Sequence, residues 1–221
     1  KIAFGDKGMK PLNLLAFDLG ASNGRAMLAR LEGERISLTE LHRFENPMIE
    51  KDGIHCWDTA FLIQQLKFGI SACNAATNGH VDCFGIDTWG VDFGLLDENG
   101  SLIESPRCYR DATDEEMLAA WQILPKREMF EHTGIAAMNF NTVYQLFRRV
   151  RENDPALRRA KTLLLMPDLL GYLLTGEKKS EYTNVTTTNL YSATAQNWDF
   201  DLVRKLGIPE GIFTSIDRAG T

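Results

Sequence analysis

Three short stretches of the chain carry side chains whose types and spacing suit chemistry. The first is "FDLGASNGR", residues 17–25, in which an apolar run ends at Asp18 and gives way to Gly20, Ala21, Ser22, Asn23, Gly24 and Arg25. Small residues let backbone N–H groups approach a phosphate without obstruction by a Cβ, and Ser22 and Asn23 add side-chain donors. A carboxylate repels phosphate directly, so Asp18 fits such a site only with a cation in between, holding the water shell of a magnesium ion that bridges phosphate oxygens. The loop is not of the GxxxxGK[ST] type, and the same residues also suit a plain glycine-containing β-turn with a solvated aspartate.

The second stretch is "GIDTWGVDFGLLD", 85–97, with Asp87, Thr88, Trp89, Gly90 and Asp92 gathered where one strand ends and another begins. Two carboxylates can accept protons from hydroxyl groups, and an indole packs against the carbon face of a sugar. A hairpin with a core tryptophan accounts for the same pattern. Gly90, between two bulky residues, points either to a positive φ or to a ligand or backbone too near for a Cβ. The third stretch is "CYRD", 108–111, an aromatic, a cation and an anion in succession, which also reads as a surface ion pair.

The elements that must position these residues follow from periodicity. Leu12 to Leu19, Arg25 to Leu31 and Arg35 to Phe44 read as strands, the last two joined by a turn at Glu32-Gly33-Glu34, and together they predict an antiparallel meander. Asp58 or Thr59 caps a helix whose stripe is Leu62, Ile63, Leu66, Ile70 and Cys73, and Gly79 ends it. "HVDCFGIDT" is a further strand, and "VDFGLLDENG" another that closes at Asn99-Gly100. Beyond these, helices dominate. Thr142 with Gln145 forms a capping box, 162–166 is a short strand or linker, a helix covers Pro167 to Leu174 with Gly176 past its end, and a last one covers Phe200 to Leu206. The polar run 180–189 reads as an ordered loop or a site wall. Arg148, Arg149, Arg151, Arg158, Arg159 and Lys161 read as a solvated helix face interrupted by Glu152 and Asp154.

The 221 residues are 44% hydrophobic and 24% charged, an ordinary globular composition with enough apolar material for a sizeable core. A net charge of −6 argues against a nucleic-acid surface. The four cysteines form no CxxC or Cys/His pattern, and no apolar run is long enough to span a bilayer, so a cytoplasmic protein with reduced thiols and no membrane partner is expected. Residues 1–8, ahead of Met9, read as a leader or an appended remnant.

Taken together, "DLGASNGR", "GIDTWGVDFGLLD", "YRD", "FNTVYQL", "LLLMPDLLGYLLTG" and "EYTNVTTTNL" resemble the FGGY carbohydrate kinases in order and spacing, from about residue 13 onward. Within that family they are most similar to the members that phosphorylate L-rhamnulose. The resemblance implies an α/β fold, ribonuclease-H-like as in the actin-like ATPases and sugar kinases. Its sheet is mixed, antiparallel at its start and flanked by helices. It implies ATP and Mg²⁺ as cofactors, with a sugar as the small-molecule partner. The family's first phosphate loop falls on Ala21, Ser22, Asn23, Gly24 and Arg25, the magnesium-organising role (through water) on Asp18, and a sugar contact on Gly90. Tyr109, Arg110, Asp111 and Phe140 are further candidates for the sugar wall, and Asp87 and Trp89 are either sugar contacts or supports that hold the turn. Asn23 stands where Ser or Thr is more usual, yet still donates a hydrogen bond. Residues 9–221 are then the N-terminal domain. The adenine pocket and the catalytic base belong to a C-terminal domain that this chain lacks, so the chain alone is expected to be inactive. Phosphorylation of the 1-hydroxyl of L-rhamnulose in rhamnose catabolism is the reading. A kinase for L-fuculose or another ketose, and a non-catalytic sugar-binding module, are the alternatives.

Overall fold

The computed structural model describes residues 10–220, so the expected leader at 1–8 lies outside the described residues. Two compact units emerge, residues 10–47 with 58–89, and residues 48–57 with 90–219.

In the first unit, β1 (Leu12–Leu19), β2 (Asn23–Glu32) and β3 (Arg35–Glu45) form the expected meander. The alternation works as a strand face should: Leu15, Phe17 and Leu19 are buried while Ala16 and Asp18 point the other way. The buried face packs on α1 (Thr59–Thr77), whose Leu62, Leu66 and Cys73 are fully enclosed. Asp58 is the N-cap, its Oδ1 accepting from the Phe61 N–H at 3.0 Å. The helix stops one residue earlier than expected. Asn78, in the left-handed region at φ 52°, is the cap, and Gly79 follows it. The hairpin β4 (Met48–Lys51) and β5 (Ile54–Trp57) intervenes in the sequence and belongs to the second unit. After α1 the chain returns as β6 (Cys83–Thr88), parallel to β1, giving the order β3-β2-β1-β6. The sheet is therefore mixed, and antiparallel at its start.

In the second unit β7 (Phe93–Leu96) pairs antiparallel with β8 (Thr162–Leu165), and all eight residues are buried. Around this ribbon pack α2 (Asp114–Ile123), α3 (Lys126–Thr133), α4 (Thr142–Arg151), α5 (Pro155–Arg159) and α6 (Met166–Thr175). One core joins Leu95, Met129, Leu146, Leu163 and Leu202, the last from a helix over Phe200–Lys205. Gly176 caps α6 at φ 82°, as expected.

Three local expectations are corrected. The capping box at Thr142 does not form, because Asn141 is the N-cap and the Thr142 and Gln145 side chains donate to a neighbouring turn instead. The stretch 180–189 is ordered, as expected, but built of short regular pieces rather than loop: a helical turn, Tyr182–Val185, followed by a 3-10 turn, Thr186–Thr188. Arg149 does not lie on a solvated face. It is 4% exposed and pairs with Glu104 at 2.6 Å and Asp154 at 3.2 Å. Burial holds its pKa below the usual guanidinium range, with Arg107 adding to that and the two carboxylates opposing it.

Candidate functional site

Each unit carries part of the chemistry. In the first, strand register sets a row of charges. Arg43, Arg25, Asp18 and Asp87 are successive partners across β3, β2, β1 and β6, so they stand on one face of the sheet. Asp18 Oδ2 accepts from Arg25 Nε at 2.7 Å and Nη2 at 2.6 Å, with the two side chains 49% and 42% exposed. Asp18 is thus neither a plain solvated aspartate nor enclosed. Its half-open carboxylate has an in-register neighbour in Asp87, exposed on β6. Strand pairing therefore puts Asp87 in line with Asp18, next to the phosphate-loop candidates.

The β1–β2 connection is tight. The Gly20 N–H donates to the Asn23 carbonyl at 2.7 Å, which brings Ala21 and Ser22 to the tip and leaves Ser22 and Asn23 exposed. Asn46, only 3% exposed, staples this tip. Its N–H donates to the Ser22 carbonyl at 2.9 Å and its Nδ2 to the Gly20 carbonyl at 3.0 Å. Sequence reasoning missed Asn46, and its only local signal is an Asn directly before Pro47. Gly24 is not at the tip. It is buried in β2, opposite Leu19, where a Cβ would collide with the Phe44 ring and lie 2.8 Å from Leu19 Cδ2. Packing thus supplies a reason for this glycine independent of any phosphate.

Trp89 follows β6 and is partly buried, its carbonyl accepting from Thr88 Oγ1 at 2.8 Å.

The chain re-enters the second unit at Gly90, whose φ is not positive; the positive φ falls one residue later, on Val91, at 69°. A Cβ on Gly90 would lie 3.0 Å from Thr187 Oγ1 and 3.2 Å from its Cγ2. Positive φ is therefore not the reason for this glycine, and the group that stands too near for a Cβ is neither a ligand nor backbone but the Thr187 side chain. Asp92 is fully buried. Its Oδ2 accepts from Trp57 Nε1 at 2.7 Å and from the Tyr109 N–H at 3.2 Å, and its Oδ1 accepts from Gln145 Nε2 at 3.2 Å. Of the two readings of this stretch, the structural one holds for Asp92, which is enclosed by protein and open to no sugar hydroxyl.

Tyr109 stacks edge-on against Phe140 with ring centroids 5.8 Å apart, which brings two of the candidates together. Arg110 is exposed, its guanidinium 6.0 Å from the Tyr109 ring centroid. Asp111 accepts from the His55 N–H at 2.8 Å and pairs with His55 Nδ1 at 2.7 Å, so it anchors the β4–β5 hairpin. That bond holds the His55 pKa above the ordinary imidazole value. Tyr109 and Asp111 also line a cavity of about 270 Å³ with Arg107, Glu116, Gln145 and Arg148; Gly90 and Phe140 are not among its lining residues. Sequence reasoning missed the β4–β5 hairpin, although "MIEKDGIHCW" carries its signal, an Asp-Gly pair that takes the two positive φ values, 52° and 77°, of a two-residue turn.

Comparison with known proteins bears on this arrangement. A rhamnulokinase of Halalkalibacterium halodurans is 41% identical over 203 residues, covering 91% of this chain and 43% of that protein. One of Mannheimia succiniciproducens is 42% identical over 216 residues, covering 96% and 44%. The chain thus spans less than half the length of these curated relatives. Among solved structures, a xylulose kinase from Rhodospirillum rubrum superposes with a TM-score of 0.81 at 15% identity, over 93% of this chain and 43% of that one. A carbohydrate kinase from Novosphingobium aromaticivorans does so at 0.75 and 23% identity, over 94% and 43%. These likenesses establish the sugar-kinase fold. Residues 13–221 match the family model described as "FGGY family of carbohydrate kinases, N-terminal domain", and the chain belongs to that family.

Proposed function

We propose that residues 9–221 are the N-terminal domain of an ATP-dependent kinase that transfers a phosphoryl group to the 1-hydroxyl of L-rhamnulose. The observation that carries the substrate is the 41–42% identity to rhamnulokinases along almost the whole chain. The half-open carboxylate of Asp18 beside the exposed donors Ser22 and Asn23 supports the phosphate side.

The first unit would meet the nucleotide phosphates, with Ser22, Asn23 and the Ala21 backbone as donors and Arg25 as a cation released from Asp18. The donor set fits Mg²⁺, which takes oxygen ligands, keeps several waters and needs only one or two carboxylates beside the phosphates. Asp18 supplies one such carboxylate, and among the described residues no group of three or more His, Cys, Asp or Glu is placed to hold a metal. Bound there through water, the ion would neutralise charge on the transferring group. In the second unit Gly90, half-buried against Thr187, would offer its backbone to the sugar, and Tyr109 with Phe140 an aromatic wall. Arg110, Asp111, Asp87 and Trp89 remain proposed wall or support positions. The base that takes the hydroxyl proton is assigned to the remainder of the protein. Positioning and charge neutralisation then carry most of the catalysis.

The test is ADP release by the full-length gene product against L-rhamnulose, L-fuculose, D-xylulose and glycerol. L-rhamnulose is expected to give the highest kcat/KM, by an order of magnitude or more. A preference for L-fuculose would transfer the assignment to that ketose. Sugar binding by the full-length protein with no turnover of any ketose would favour a binding module.

A further inference from the structure

The segment Gly90–Val91–Asp92 closes a three-residue turn, in which the Asp92 N–H donates to the Gly90 carbonyl at 2.9 Å across Val91. With φ at 69° this is the strained kind of γ-turn, in a region that β-branched residues seldom enter. Glycine sits beside the strained position rather than on it. The backbone therefore does not adopt this turn through local preference, and something outside it must hold it there.

The holding groups come from the start of α4. The Val91 carbonyl accepts from Thr142 Oγ1 at 2.7 Å and from Gln145 Nε2 at 3.2 Å. The same Gln145 amide donates to the Phe140 carbonyl at 2.9 Å and to Asp92 Oδ1 at 3.2 Å. Through its other oxygen Asp92 receives the Tyr109 N–H at 3.2 Å and Trp57 Nε1 at 2.7 Å. On the far side of the turn, Thr187 abuts Gly90, and its carbonyl accepts from Asn141 Nδ2 at 2.9 Å, one residue before α4. One amide and one buried carboxylate thus tie together the backbones at 90–92, 109 and 140. These are three separate segments, and each holds a candidate sugar contact.

We propose that Gln145 and Thr142 are positioning residues: with Asp92 they clamp the strained turn at Val91 and fix Gly90, Tyr109 and Phe140 in one arrangement before the sugar binds. This rests on the reading of Gly90, Tyr109 and Phe140 as the sugar wall. A wall set in advance saves the ordering entropy that a loose turn would lose on binding. Loss of the clamp should therefore weaken sugar binding and leave the nucleotide side alone.

The experiment compares Thr142→Val, Gln145→Met and Thr142→Ser in the full-length protein, measuring KM for L-rhamnulose, KM for ATP, and kcat. Thr142→Val and Gln145→Met are expected to raise the sugar KM by about tenfold or more with kcat little changed, the signature of binding lost equally in the ground and transition states. The ATP KM should stay within about twofold, and Thr142→Ser, which keeps the hydroxyl, should resemble the parent. Adding Val91→Gly to Thr142→Val should recover part of the sugar KM, because glycine takes a positive φ without strain. If Thr142→Val does not fold, Thr142→Ala, which adds no bulk, carries the comparison. Folded variants with parental sugar KM, or an equal rise in both KM values, overturn the proposal. Amide exchange at Asp92 and Tyr109 separates this from the kinase reading. Faster exchange in the variants of a protein that phosphorylates no ketose would refute the kinase reading and leave the clamp. An active protein whose sugar KM does not move would refute the proposal alone.

Discussion

Replacing Asp168 with Asn should stabilise the chain at alkaline pH and do nothing at acid pH. Asp168 lies in the first turn of α6, where a carboxylate is ordinarily favoured. Here burial pushes its pKa up from 3.8 to about 7, and the neighbouring Glu181 adds to the rise, against a hydrogen bond from the Glu181 N–H at 3.2 Å. Its Oδ2 is buried with no hydrogen-bond partner among the described residues, and so is Glu181 Oε1. A folded-state pKa above the unfolded one means that the native state holds the proton more tightly. The stabilising contribution is then complete below about pH 3.8, falls as pH rises, and is gone above about pH 7. The full difference of about three pKa units corresponds to about 4 kcal/mol at 1.36 kcal/mol per unit, an upper bound that relaxation and water entry lower. Asn keeps the acceptor for the Glu181 N–H and cannot ionise. Urea unfolding of the 221-residue chain at pH 4, 6 and 8 should give a stability difference near zero at pH 4 that grows in favour of Asp168→Asn by pH 8. A difference that is independent of pH, or a less stable variant at pH 8, would refute the reasoning.

Gly24→Ala should destabilise by about 1–3 kcal/mol, because the new Cβ meets the Phe44 ring and Leu19 in a closed space; a thermal melt checks this, and Phe44→Leu in the same background should restore part of the loss. His55 should titrate above its ordinary value in an NMR pH series and fall back in Asp111→Asn; the contact supports the β4–β5 hairpin below pH 6.5 and fades as pH rises through the folded-state value. In the full-length protein, Asp18→Asn should reduce kcat by an order of magnitude or more and leave L-rhamnulose affinity nearly unchanged, read by single-turnover kinetics and sugar titration; the reverse pattern would remove Asp18 from the phosphate side. Gly90→Ala should weaken sugar binding at least tenfold through displacement of Thr187, and Thr187→Ser, which removes the Cγ2 at 3.2 Å, should relieve part of it.

What the sequence determined by itself is what depends on neighbours along the chain. Period-two burial at Leu15, Phe17 and Leu19 made β1 readable, an Asp three residues ahead of Phe61 capped α1, and Gly176 ended α6, because in each case the partner lies within one turn or one strand repeat. The motifs around Asp18 and Gly90 were likewise sufficient to place the chain in its family. Tertiary structure decided every assignment in which a side chain had two competing partners. Thr142 and Gln145 have the spacing of a capping box, yet a carbonyl at Val91, far away in the chain, takes the hydroxyl and the amide instead. Arg149 sits in a run of exposed charge, and only the approach of Glu104 and Asp154 lets it be buried. Asp92 looks like a ligand-facing carboxylate until Trp57, Tyr109 and Gln145 close on it. A hydrogen bond or ion pair goes to whichever partner the folded chain brings within about 3 Å at the lowest desolvation cost. That distance is set by packing between segments remote in sequence, and no local pattern encodes it.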